Sequence, residues 1–236
     1  MIDTNPLIVA LDVPELSEAV ELARRLQGEV GYFKIGLELF SAHGPETVTA
    51  IGEFGDVFLD VKLHDIPTTV SRATRQLGRL GVGLVTVHAL GGKDMVAAAV
   101  EGLALGAKGH SGPQPRILAV TVLTSLSDAD LATVGLPGAE DAVLELGRTA
   151  VGAGAPGLVC APRDASRLRQ EVGPSTVLVT PGVRPAGSDS DDHARAATPA
   201  EAVAAGANYL VVGRPITRAA DPVTAARSIL SEVDPA

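Results

Sequence analysis

Short apolar runs alternate with helical patterns about eight times along this chain, and that rhythm predicts a single (β/α)8 barrel. Two further features agree. The 236 residues contain no linker, charge block or low-complexity tract that would divide them. Aromatic residues are only 3% and Trp is absent, so the core must be Val, Leu, Ile and Ala, the residues of parallel strands buried under helices.

The first unit opens with "LIVAL" (7–11), after which Leu16, Ala19, Val20, Ala23 and Leu26 fall at helical spacing. "GYFKIG" (31–36) precedes one helical stretch to about Phe54. "DVFLDVK" (56–62) precedes a helix from about Pro67 to Leu80, with Pro67 suited to a first turn. "GLVTVHA" (83–89) leads into the Ala-rich segment 94–107, and "RILAVTVL" (116–123) into a helix at about 139–153. "GLVCA" (157–161) precedes a helix near 163–172, and "TVLVTPG" (176–182) one at 199–205. "NYLVVGR" (208–214) precedes the last, at about 221–233. Strands alternating with helices imply parallel pairing through right-handed crossovers. An open doubly wound sheet is the alternative, but the first strand lacks the glycine fingerprint that would favour it.

A net charge of −9 argues against a nucleic-acid surface or an anionic membrane as partner. It leaves room for a small anion gripped by a local cluster of Arg or Lys. The lone Cys160 excludes an intrachain disulfide and, without evident His or Asn partners, reads as a buried structural thiol in a reducing compartment. No apolar run approaches the ~18–20 residues of a membrane span. The start "MIDTNP" lacks a basic stretch followed by an apolar one, so a cytoplasmic location is expected.

In a barrel of this kind, chemistry gathers at the C-terminal ends of the strands. Those ends carry Asp12, Lys34, Asp60 with Lys62, His88, Thr121 with Thr124 and Ser125, Arg184 and Arg214. The opposite ends begin "NPL", "GVG", "GAP" and "GAN" and are nearly uncharged. Asp60 and Lys62, two apart, share a strand face at the mouth; a structural ion pair is the plain alternative. Asp65, just past the strand, also suits a helix N-cap. His64 and His88 belong to no ligand-spaced set and read as hydrogen-bonded structural residues.

"TPGVRP" (180–185) and "VVGRPI" (211–216) follow the last two long strands, where barrels commonly bind phosphate. Gly182 and Gly213 let backbone N–H groups approach an oxyanion, and Arg184 or Arg214 can grip it with paired hydrogen bonds. The polar segment between them suggests a mobile lid at about 183–196, whose Asp189, Asp191 and Asp192 should point away from a bound phosphate.

"ALDV", "FKIG", "DVKLHDIPTT", "AVTVLTS", "TPGVRP" and "VVGRPIT" occur in this order, each at the end of an expected strand. Together they resemble the bacterial orotidine 5′-phosphate decarboxylases, over essentially the whole chain. The resemblance implies a dimeric (β/α)8 barrel that makes uridine monophosphate from orotidine monophosphate, the last step of pyrimidine nucleotide synthesis, with neither metal nor organic cofactor. It further implies that Lys34, Asp60, Lys62 and Asp65 form an alternating charged tetrad. Lys62 would stabilise and protonate the C6 carbanion, and Asp65 would reach, with Ile66 and Thr69, into the neighbouring protomer's site. Asp12 and Lys34 would contact the ribose, Thr124 the pyrimidine, and Arg184, Gly213 and Arg214 the phosphate.

One departure stands out. His193 occupies the lid position where the family usually has Gln, a residue that bridges phosphate and base. An imidazole N–H donates to one of the two, so lid closure is what the change puts in doubt. The alternatives are a magnesium-dependent sugar-phosphate decarboxylase or aldolase sharing the D-x-K-x-x-D pattern, or a catalytically silent barrel that binds a phosphorylated metabolite.

Overall fold

A computed structural model of the chain describes residues 5–110, 113–185 and 197–233. Parallel strands β1 (Leu7–Ala10), β2 (Tyr32–Ile35), β3 (Val57–Leu63), β4 (Leu84–His88), β5 (Arg116–Val120), β6 (Gly157–Val159), β7 (Val177–Pro181) and β8 (Tyr209–Val212) pair in chain order, and β8 closes on β1. The expected barrel is the observed one.

Period-2 alternation splits each strand between two cores. On β1, Leu7 and Val9 face the helices, while Ile8 and Ala10 fill the barrel with Phe58, Leu84, Leu118, Val179, Tyr209 and Val211. Tyr32 and Tyr209 meet edge to face in that interior, with ring centroids 5.5 Å apart. The interior is thus apolar low in the barrel and turns polar only toward the strand C-termini.

The outer layer runs α1 (Leu16–Arg25), α2 (Leu37–His43), α3 (Glu46–Gly52), α4 (Pro67–Arg79), α5 (Gly92–Gly106), α6 (Asp128–Thr133), α7 (Ala139–Gly152), α8 (Pro162–Val172), α9 (Pro199–Ala204), α10 (Arg214–Thr217) and α11 (Pro222–Val233). Most match the expected ranges within two residues. The stretch expected as one helix up to Phe54 is instead two, α2 and α3. Gly44 ends α2 at φ 61, and Pro45 cannot supply the N–H that a continuing helix needs there. Two helices were not anticipated. α6 is held by a reciprocal cap between Ser127 and Asp130, and α10 is a single turn with Pro215 at its second position.

Two features outside the mouth fix the scaffold. α4 and α5 cross with backbones nearly touching: a Cβ added at Gly102 would lie 2.3 Å from the Ser71 carbonyl oxygen, and one at Gly106 2.1 Å from that of Arg75. At the other end, Arg169 donates to the carbonyls of Gly173, Thr176 and Gly206 and to Asn208 Oδ1, tying α8 to β7 and β8. Cys160 is buried, and desolvation pushes its thiol up to about 12, as suits an inert core residue.

Candidate active site

The upper ends of β1, β2 and β3 bring four charged side chains into one file. Lys34 Nζ lies 2.9 Å from Asp12 Oδ1 and 3.7 Å from Asp60 Oδ2, and Lys62 Nζ lies 2.9 Å from Asp60 Oδ1. Burial is deepest in the middle of the file: the Lys34 side chain is 9% exposed and that of Asp60 14%, while the ends, Lys62 and Asp12, are 28% and 58% exposed. Nearly buried charges survive only with partners, and here each has one of opposite sign. Gly36 makes the first pair possible, because a Cβ there would press Asp12 Oδ1 at 2.8 Å.

Lys62 reaches the mouth by an unusual route. β3 pairs regularly with β4 up to Leu59↔Val85, then slips, and pairing resumes only at Leu63↔Val87. Within the slip, Lys62 has φ 48, the one positive value at a non-glycine position among the described residues. Strict alternation places Asp60 and Lys62 on one face; the structure joins them through a bulge. Thr86, fully buried on β4, donates from Oγ1 to Asp60 Oδ1 at 2.9 Å and accepts from the Lys62 N–H at 2.9 Å. The sequence signal for Thr86 is slight: a polar residue between Leu84 and His88 on the inward face of an apolar strand.

One cleft of about 500 Å³ joins this file to the glycine–arginine loops, with Asp12, Lys34, Asp60, Lys62, Gly182, Arg184, Gly213 and Arg214 in its lining. Gly182 has φ 77, which a side chain would resist. The four-residue file sums to zero charge, and Arg184 and Arg214 add two positive charges. An anion can therefore be held here despite the chain's overall −9.

Other expected residues stand apart. Asp65, Ile66 and Thr69 are exposed and outside this lining. Ile66, not Asp65, is the N-cap of α4, while the Asp65 carboxylate accepts from the Ile66 N–H at 2.6 Å. Thr124 and Ser125 are exposed between β5 and α6, and Thr121 turns into the sheet to donate to the Val159 carbonyl. His193 and positions 186–196 of the expected lid lie outside the described residues. A separate cavity of about 320 Å³ beside α7 and α8 shares no lining residue with the cleft, and its Arg163 and Arg167 already pair with Asp164 and Glu140.

His64 and His88 contact each other as rings, with centroids 5.5 Å apart. Burial, then the neighbouring His64 and Lys62, lower the His88 pKa, and Asp60 opposes them. As pH falls through about 6.5 the unfolded chain therefore takes up this proton first. The stability tied to His88 is complete above that value and is lost as pH falls through the lower folded one. Melting temperature should drop between pH 7.5 and 5, and His88→Gln should flatten the slope; equal slopes would remove His88 as the cause.

Barrel and cleft define a class: (β/α)8 proteins with a small-molecule site at the strand C-termini, here with charges of both signs. Within it, the chain belongs to the orotidine 5′-phosphate decarboxylase / HUMPS family, whose model matches residues 5–229. It is 54% identical over 225 residues to the orotidine 5′-phosphate decarboxylase of Anaeromyxobacter sp. (strain K), covering 94% of this chain and 96% of that one. The same-named protein of Thermobifida fusca is 50% identical over 231 residues, 97% and 95% of the two chains. The crystal structure of orotidine 5′-phosphate decarboxylase from Lactobacillus acidophilus superposes with a TM-score of 0.85 at 37% identity, over 98% of this chain and 99% of that one.

Proposed function

We propose that this chain decarboxylates orotidine 5′-monophosphate to uridine 5′-monophosphate, with Lys62 as the proton donor. The observation that carries the reading is the shared cleft, in which a Lys–Asp file and two glycine–arginine loops face one ligand-sized space. In the reaction, the C6–carboxylate bond breaks, CO₂ leaves and its electron pair stays at C6. The Lys62 ammonium stabilises that pair and delivers a proton to C6, then regains one from solvent. Asp60 keeps the amine aimed. It also repels the substrate carboxylate, by about 4 kcal/mol for unit charges ~4 Å apart at an effective dielectric near 20. Phosphate binding at Arg184, Gly213 and Arg214 supplies affinity remote from C6 that can be spent there. Asp12 and Lys34 take the ribose hydroxyls and Thr124 the base.

The magnesium-dependent alternative needs carboxylates free to ligate metal. Asp12 and Asp60 are both engaged by lysines, Asp60 through both oxygens, which favours the metal-free reading. Mixing purified protein with orotidine monophosphate in excess EDTA should bleach the orotate ultraviolet absorbance. Persistent absorbance would refute the assignment.

Arg214→Ala should weaken nucleotide binding about ten- to a hundredfold, the worth of one charge-assisted contact. An unchanged affinity in calorimetry would take Arg214 out of the phosphate site.

The working unit we infer is a homodimer with Asp65 lent across the interface. Leu37, Ile66, Leu90 and Leu123 are each exposed, and each follows the C-terminal end of one of four consecutive strands, β2 to β5, so large apolar side chains face solvent on the mouth end of the barrel. Asp65 stands beside Ile66 at that end. Mixing Lys62→Ala with Asp65→Ala chains then regenerates one intact site per mixed dimer, so activity should return to about a quarter of wild type at random exchange. No gain on mixing would show that each chain uses its own Asp65.

A further inference from the structure

We propose that Thr86 is the positioning residue that sets Lys62 for proton delivery; this rests on the reading of Lys62 given above. Between the paired positions the slip leaves three residues on β3, Asp60 to Lys62, against one on β4, Thr86. The surplus chain must bulge, and Lys62 meets it in the left-handed region, a conformation that a non-glycine residue adopts only under strain. A bulge also takes the Lys62 N–H out of the strand ladder. Thr86 Oγ1 receives it.

Polarity then fixes the rest. An amide N–H can only donate, so the hydroxyl accepts there and its single proton is free for Asp60 Oδ1. Asp60 Oδ1 in turn holds Lys62 Nζ at 2.9 Å. One buried hydroxyl therefore closes a ring through both the backbone and the ammonium of the same lysine. It also opposes the pull of Lys34 on the other Asp60 oxygen, 3.7 Å away. Without it, the carboxylate is free to turn toward Lys34, and the Lys62 backbone loses the bond that offsets its strain.

Thr86→Val keeps the shape and removes both bonds. Turnover should fall about a hundredfold, the usual penalty for an ångström of misplacement, while KM and uridine monophosphate affinity stay within about threefold. Thr86→Ser restores the hydroxyl and should recover most of the turnover. Hydrogen exchange at the Lys62 amide should quicken at least about tenfold in Thr86→Val but not in Thr86→Ser. Thr86→Ala takes the same comparison should valine disturb folding. Turnover of the valine variant within about threefold of wild type, or unchanged amide exchange at Lys62, overturns the proposal. Wild-type protein inert toward orotidine monophosphate would instead sink the assigned reaction, and the amide exchange would still judge Thr86.

Discussion

Lys62→Ala should lower turnover by at least about ten-thousandfold, since it removes both a proton donor and a charge aimed at the developing carbanion. Either loss alone is commonly worth about a hundred- to a thousandfold, and the two act on the same transition state. Binding should survive, because Arg184, Arg214 and Asp12 line the same cleft independently of the lysine. The fold should survive too: Asp60 keeps Thr86 and Lys34, so no buried carboxylate is stranded. Single-turnover kinetics alongside calorimetry with uridine monophosphate separates these effects. More than about a hundredth of wild-type turnover would eliminate Lys62 as the donor.

Gly106→Ala should be the most damaging small change far from the mouth. Alanine is the better helix former by about 1 kcal/mol, so propensity alone predicts stabilisation. Sterics decide otherwise. The new methyl would sit 2.1 Å from the Arg75 carbonyl oxygen and 2.9 Å from its carbon, and backbone atoms cannot swing aside as a side-chain tip can. Overpacking of this kind costs about 1–3 kcal/mol or more, enough to reverse the sign. A net loss near 2 kcal/mol lowers the melting temperature by about 4–8 °C in a chain of this size. Gly52→Ala is the control, in a helix with nothing within 4 Å of the added carbon, and should leave stability equal or slightly higher. A Gly106→Ala melting temperature at or above wild type would refute close backbone contact at this crossing.

The barrel was legible because period 2 and period 3.6 alternate cleanly from "LIVAL" onward. The charged mouth was legible because polar residues at strand C-termini contrast with uncharged starts. What escaped depended on contacts distant in sequence. Gly44–Pro45 breaks a helix whose apolar pattern runs straight through the break. Thr86 looks like a routine strand residue until β3 slips past β4 and presents the Lys62 N–H to it. Asp65 had two readings, cap or lent carboxylate. The cap moved to Ile66, and the exposed side chain is compatible with lending. α6 carries its own signal, Ser127 three residues before Asp130, but the pair is short and polar and sits in a segment without an apolar helical period.

The glycine crossing of α4 on α5 has an inheritance-like consequence if Asp65 serves the neighbouring protomer. The stretch bearing that aspartate leads directly into α4, whose footing is the crossing. A lesion there would leave a chain's own lysine in order and starve the site next door. In a cell making both versions, the damaged copy would impair the healthy one while borrowing competence from it.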